Sequence, residues 1–171
     1  MKKWSLTRQD ELDIPSTFIS QYQAALSMLG QTINKCPESL WDSTDEKTKF
    51  WNIAYHALFY AHFYLQDSPK TFTPWSQHRA EYNNLGGILT EPYDKASLLE
   101  YLLICQQQVV ERIPQLNLEA ASGFDWLPFS RLELLIYNLR HLQQHTGELM
   151  ERLGTRAGVE IDWVGSVPPS G

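Results

Sequence analysis

His141 and His145 stand four residues apart in "NLRHLQQHTGELMERLG", residues 138–154. On a helix, at about 100° per residue, their imidazoles lie about 40° apart around the axis and about one turn apart along it, so both can reach a common point. Leu134, Leu142 and Leu149 fall within roughly 20° to 100° of His141 on the same wheel, which puts the pair at the margin of an inward face. The stretch "FWNIAYHALFYAHFYLQ", residues 50–66, offers a third imidazole. His56 sits in its apolar stripe, with Ile53, Phe59, Tyr60 and Phe63 within about 60° of it. Of the five histidines, His56, His141 and His145 are therefore expected to face inward, whereas His62 points roughly 120° away from His56 and His78 falls in a loop.

Three inward imidazoles suggest a divalent transition metal. Neutral imidazole is a good ligand for Zn, Ni, Fe and Cu, and three nitrogen ligands leave a position open for water or substrate, as a catalytic site requires. Two ligands at i and i+4 share one rigid backbone, which lowers the cost of ordering the site. Glu148, about 20° from His141 on the wheel, is a candidate hydrogen-bond partner of a ligand or a base; its plainer role is a solvated charge paired with Arg152 at i+4. Tyr137 and Asn138 flank the pair and are expected to pack or to satisfy polar groups. Trp75 and His78 could line a pocket, but an aromatic anchoring its loop onto the helices is the simpler expectation.

Four long helices can position these groups. Apolar residues from Phe18 to Ile33 recur at spacings of three and four, so the first helix is expected over Ile14 to Lys35, with Pro15 tolerated in its first turn. After the connection "CPESLWDST", a second helix runs from about Glu46 to Gln66, with Ser43 or Thr44 available as its cap. Residues 67–95 hold three prolines and a Gly-Gly pair, which predicts a long crossover with at most a short helical piece around Ser76 to Asn83. The crossover is expected to cover the mouth of the site. A third helix follows from about Ala96 to Pro114, with Leu98, Leu99, Leu102, Leu103, Cys105 and Val109 at helical spacings. The fourth begins at Ser130, with Glu133 three residues on, and is expected to stop at Gly154. With no clear strand and no internal repeat, the pattern predicts an all-α single domain over residues 1–171, an antiparallel-type helix bundle.

Composition narrows the function. A net charge of −6 with no basic block argues against a nucleic-acid surface. Cys36 and Cys105 have no metal-like spacing and imply neither a disulfide framework nor a cysteine zinc site, which fits a reducing cytoplasm. The N-terminus "MKKWSLTRQDELDIP" lacks the apolar middle of a signal peptide, and residues 50–66 are too short and too polar to span a bilayer, so no membrane segment is expected.

The order of one histidine in the second helix, a long crossover, and "RHLQQHTGEL" in the fourth resembles the DinB/YfiT-like superfamily of metalloenzymes. Its last helix carries a similar H-x-x-x-H followed by Gly-Gln/Glu-Leu. "WVG" at Trp163 to Gly165 is similar to tails of some members. The resemblance implies a four-helix bundle of up-down-down-up topology, frequent homodimers, and a three-histidine divalent metal site whose ligands here would be His56, His141 and His145. It also implies small-molecule chemistry with a low-molecular-weight thiol: S-transfer, a related isomerisation or hydrolysis, with the metal lowering the pKa of a thiol or water. Two other metalloenzyme patterns are missing, since no Glu-x-x-His of di-iron bundles and no H-E-x-x-H of zinc proteases occurs. The remaining rival is a non-enzymatic binding or stress-response module that keeps the histidines as a structural or vestigial site.

Overall fold

A computed structural model describes residues 13–87 and 89–168; the reading of residues 1–12 lies outside them. Helix α1 covers Ile14–Lys35, with the Asp13 carboxylate accepting the Ser16 N–H at 3.1 Å and Pro15 in the first turn, where its missing N–H costs nothing. Its inward stripe buries Ile19, Tyr22, Leu26, Leu29 and Ile33. The expected connection after it contains a short helix, α2, Glu38–Trp41, opened by Pro37. Trp41 is buried, and its indole N–H donates to the Tyr93 carbonyl at 2.8 Å, tying α2 to the crossover.

Helix α3 spans Phe50–Phe63, starting four residues later and ending three earlier than its pattern predicts. Tertiary contacts account for both ends. Glu46 pairs with Arg152 and Arg156, the Thr48 carbonyl accepts from Arg152 at 2.7 Å, and the Lys49 ammonium donates to the Ser43 carbonyl at 2.7 Å. Residues 46–49 are thus held as a strap rather than a first turn, and neither Ser43 nor Thr44 caps the helix. At the other end the buried Arg131 guanidinium donates to the carbonyls of Gln66 at 2.7 Å and Asp67 at 2.9 Å. The loop leading into Arg131 approaches so closely that a Cβ at Gly123, whose φ is +84°, would lie 1.8 Å from the Asp67 oxygen.

Among its described residues the crossover forms only a 3₁₀ turn, Ala80–Tyr82, within the predicted helical piece. Trp75 anchors it, stacked on Tyr101 at 4.7 Å between ring centroids. Helix α4, Lys95–Arg112, is capped by Asp94, whose carboxylate accepts the Ser97 N–H at 2.7 Å, and passes into a 3₁₀ turn at Ile113–Gln115. Leu98, Leu102, Cys105 and Val109 are buried, but Leu103 is 64% exposed because it lies about 140° from that stripe.

Helix α5, Arg131–Ala157, begins as predicted: the Ser130 hydroxyl accepts the Glu133 N–H at 3.2 Å. It does not stop at Gly154. It runs on to Gly158, at φ 64°, where the N–H groups of Gly158 and Val159 close onto the carbonyls of Gly154 and Leu153 at 3.1 Å each. The chain then returns along α1, with Gln21 donating to the Gly165 carbonyl at 3.1 Å and Lys35 to that of Glu160 at 3.1 Å.

The fold is all-α: among the described residues the only β pairing is a single bridge between Ala121 and Ser130. Helices α1 and α3 each pack along both α4 and α5, and one apolar cluster runs through all four. α3 is buried on nearly every side, which is why its sequence is apolar all round. No helix among the described residues is long and apolar enough to cross a membrane.

Candidate metal centre

The α3–α5 contact brings together the three histidines that the wheels single out. His56 and His145 are buried and His141 is half-buried. One ring nitrogen from each lies within 4.8 Å of the other two, and Nε2 of His56 is 3.1 Å from Nε2 of His141. Nitrogen ligands about 2.0–2.1 Å from a tetrahedral zinc sit roughly 3.3 Å apart, so the His56–His141 pair already has ligand spacing.

Hydrogen bonds at the far nitrogens orient two of the rings. Nδ1 of His56 lies 2.6 Å from the Asn83 carbonyl oxygen, which can only accept, so Nδ1 carries the proton and Nε2 is bare. Nδ1 of His145 lies 3.2 Å from the Glu148 carboxylate and is fixed in the same tautomer. Glu148 is held in turn by Arg152 at 2.8 Å, so the ligand-partner and ion-pair roles expected for it coexist. That carboxylate–imidazole arrangement is the usual support of a metal ligand. His141 donates its Nε2–H to the bare Nε2 of His56, and its own Nδ1 is buried without a partner among the described residues.

Burial pushes the pKa of His56 down to about 4, against the opposing pull of the Asn83 carbonyl. Burial, reinforced by the neighbouring imidazoles, pushes His141 down to about 3. Both rings are therefore neutral near pH 7, as ligands must be. The donor set, three imidazoles without a thiolate, suits zinc, nickel or iron, and the residues fit such an ion.

An open pocket of about 460 Å³ borders His141, lined by Tyr137, Arg140, Gln143 and Gln144 of α5. The crossover contributes from the other direction, through the Asn83 carbonyl behind His56. The Tyr60 ring packs against His56 and His141, with centroids 4.8 and 5.3 Å away. Set against models of known protein families and against curated proteins, the chain matches none.

The other expected residues fall outside the cluster. Asn138 is buried and donates to the Ala61 carbonyl at 3.2 Å, a packing role. His78 pairs with the Tyr55 hydroxyl at 2.6 Å and stacks on Phe59. His62 is not off the core: it is 6% exposed, on another side of α3, against Tyr101 and Phe72. Sequence reasoning missed Asn83, whose contribution is a backbone carbonyl with no residue-type signature. It also missed Tyr60 as a wall of the site, although its place four residues after His56 carried the signal.

Proposed function

We propose that this chain is a metal-dependent enzyme of the DinB/YfiT-like kind, with His56, His141 and His145 holding a divalent zinc, nickel or iron ion. The observation that carries this is the convergence of three imidazoles from two helices, two of them oriented by acceptors at Nδ1. We read the four long helices as that superfamily's up-down-down-up bundle in one domain, working as a cytoplasmic homodimer. The helix order and the tail returning along α1 support the bundle reading, and the dimer is what the resemblance implies.

A divalent ion supplies Lewis acidity that lowers the pKa of a thiol or water at neutral pH. The chain's own residues do the rest. Asn83 and Glu148 hold the imidazole tautomers, Tyr60 excludes water from one side, and Arg140 at the mouth beside His141 offers a positive charge to a small-molecule substrate. Thiol S-transfer with a low-molecular-weight thiol is the reaction we assign, with hydrolysis or isomerisation as its relatives.

One observation favours a second reading, a non-enzymatic module: His56 and His141 satisfy each other directly at 3.1 Å. Elemental analysis of untagged protein purified without chelator separates the two. Near-stoichiometric metal in the parent and its loss in His141→Ala support the enzyme and lead to a thiol-conjugation assay on the loaded protein. No metal in either, after reconstitution at pH ~7.5 where imidazoles are neutral, moves the assignment to the module.

A further inference from the structure

Another side of α3 borders a second pocket, of about 490 Å³, lined by His62, Gln66, Thr73, Ser76, Ile104 and Gln108, with Pro74 and Trp75 completing its wall. No charged side chain lines it among the described residues. Two of its polar groups, on His62 and Gln66, are left over, besides the indole N–H of Trp75, which is buried without a partner among the described residues.

Nδ1 of His62 meets the Tyr101 hydroxyl at 3.3 Å. Tyr101 is buried, and this is its hydroxyl's only partner among the described residues. A buried hydroxyl proton needs an acceptor, so Tyr101 donates and Nδ1 accepts. The imidazole is neutral, its pKa pushed down to about 4 by burial, so its own proton is on Nε2. That N–H has no partner among the described residues and is what His62 offers to the pocket it lines.

Gln66, also buried, supplies the complement. Its amide nitrogen faces two acceptors, the His62 carbonyl and Oε1 of Gln108, each at 3.3 Å. Gln108 is oriented independently, since its own nitrogen donates to Glu111 at 3.2 Å. Oε1 of Gln66 is therefore the atom left without a partner among the described residues. The pocket thus presents one neutral donor and one neutral acceptor from residues four apart, beside the Thr73 and Ser76 hydroxyls and the apolar Ile104.

We propose that this pocket binds a small uncharged molecule through a carboxamide, whose carbonyl accepts from Nε2 of His62 and whose N–H donates to Oε1 of Gln66. A carboxylate would satisfy His62 but would set its second oxygen against Gln66 with no cation to offset its desolvation. An apolar ligand would leave both groups unpaired. The site is independent of any metal at His56, His141 and His145.

The test uses the full chain labelled with ¹⁵N-histidine, the His62 ring being assigned by its loss in His62→Gln. The free protein should show His62 protonated on Nε2. Benzamide should shift that resonance saturably, and benzoate of the same shape should bind at least about tenfold more weakly, the equivalent of one lost hydrogen bond. Ser76→Trp, at an exposed loop position, should fill the mouth and remove the shift, and Ile104→Trp should do the same from α4. The assignment is overturned if His62 carries its proton on Nδ1, if benzamide leaves its resonance unmoved, if benzoate binds as tightly, or if the shift survives in the folded Trp variants.

Discussion

His56 and His62 sit six residues apart on α3, both buried, both with the imidazole pKa pushed down to about 4 chiefly by burial. They differ in what meets Nδ1. For His56 it is a backbone carbonyl, which fixes the proton there and leaves a bare Nε2 facing two further imidazoles. For His62 it is a tyrosine hydroxyl, which donates and turns Nε2 into an N–H offered to the pocket that Gln66 and Gln108 also line. Burial and a lowered pKa therefore do not separate a metal ligand from a hydrogen-bonding group. The partner at the far nitrogen does, because it decides whether the near nitrogen carries a lone pair or a proton.

The largest expected effect breaks one side and spares the other. His56→Ala should abolish the rise in melting temperature that zinc produces in the parent, while His62→Gln should keep it. A loss exceeding the 10–100-fold typical of a supporting partner is expected, since a ligand itself is gone. If His62→Gln loses the metal response as well, the contrast between the two faces fails.

Acid should act on both faces together. His56, His62 and His141 all have folded pKa values below the ordinary value of about 6.5, so between that pH and about 4 the unfolded chain binds more protons. Their contribution to the stability of the metal-free protein is complete above about pH 6.5 and is lost as pH falls toward 4 and below. Each tenfold weakening of proton affinity on folding is worth about 1.4 kcal/mol, so each of these rings should contribute a loss of a few kcal/mol, read from urea unfolding at a series of pH values. His62→Gln should flatten that slope in part, and a slope unchanged by it would mean that His62 is not held neutral by its pocket.

Glu148→Ala sharpens the His56 side. Removing the acceptor frees the His145 ring and should weaken zinc binding by about 10–100-fold, with Glu148→Gln, which keeps an acceptor, closer to the parent. Equal affinity in all three proteins would show that Glu148 serves only its ion pair with Arg152.

What could be read in the sequence follows the same division. Local chemistry was legible: the helix periods, Pro15 in a first turn, and the Ser130 cap with Glu133 all lie within a few residues of their effect. The three inward imidazoles were legible because wheel geometry is also local. The late start of α3 was not, since Glu46 is drawn into ion pairs with Arg152 and Arg156 more than a hundred residues away. Nor was the burial of His62. A wheel drawn around one apolar stripe assumes a solvent side, and α3 has almost none because α4, α5 and the crossover enclose it. Gly154 misled for a related reason: a glycine can end a helix, but Gly158 four residues on sits at the left-handed φ that does so.

The smallest effect tests the step on which the second face depends. Tyr101→Phe keeps the ring that stacks on Trp75 at 4.7 Å and removes only the hydroxyl that meets His62. Losing one such hydrogen bond should cost about 1 kcal/mol in urea unfolding, well below the other effects. Its spectroscopic consequence is sharper than its energy. Without a donor at Nδ1, His62 keeps only the mild intrinsic preference of a neutral imidazole for Nε2–H, so its ¹⁵N resonances should move toward a mixture of tautomers, while those of His56, held by the Asn83 carbonyl, stay in place. A His62 that remains a single Nε2–H tautomer in Tyr101→Phe would place the control elsewhere in the pocket and remove the hydroxyl from the comparison.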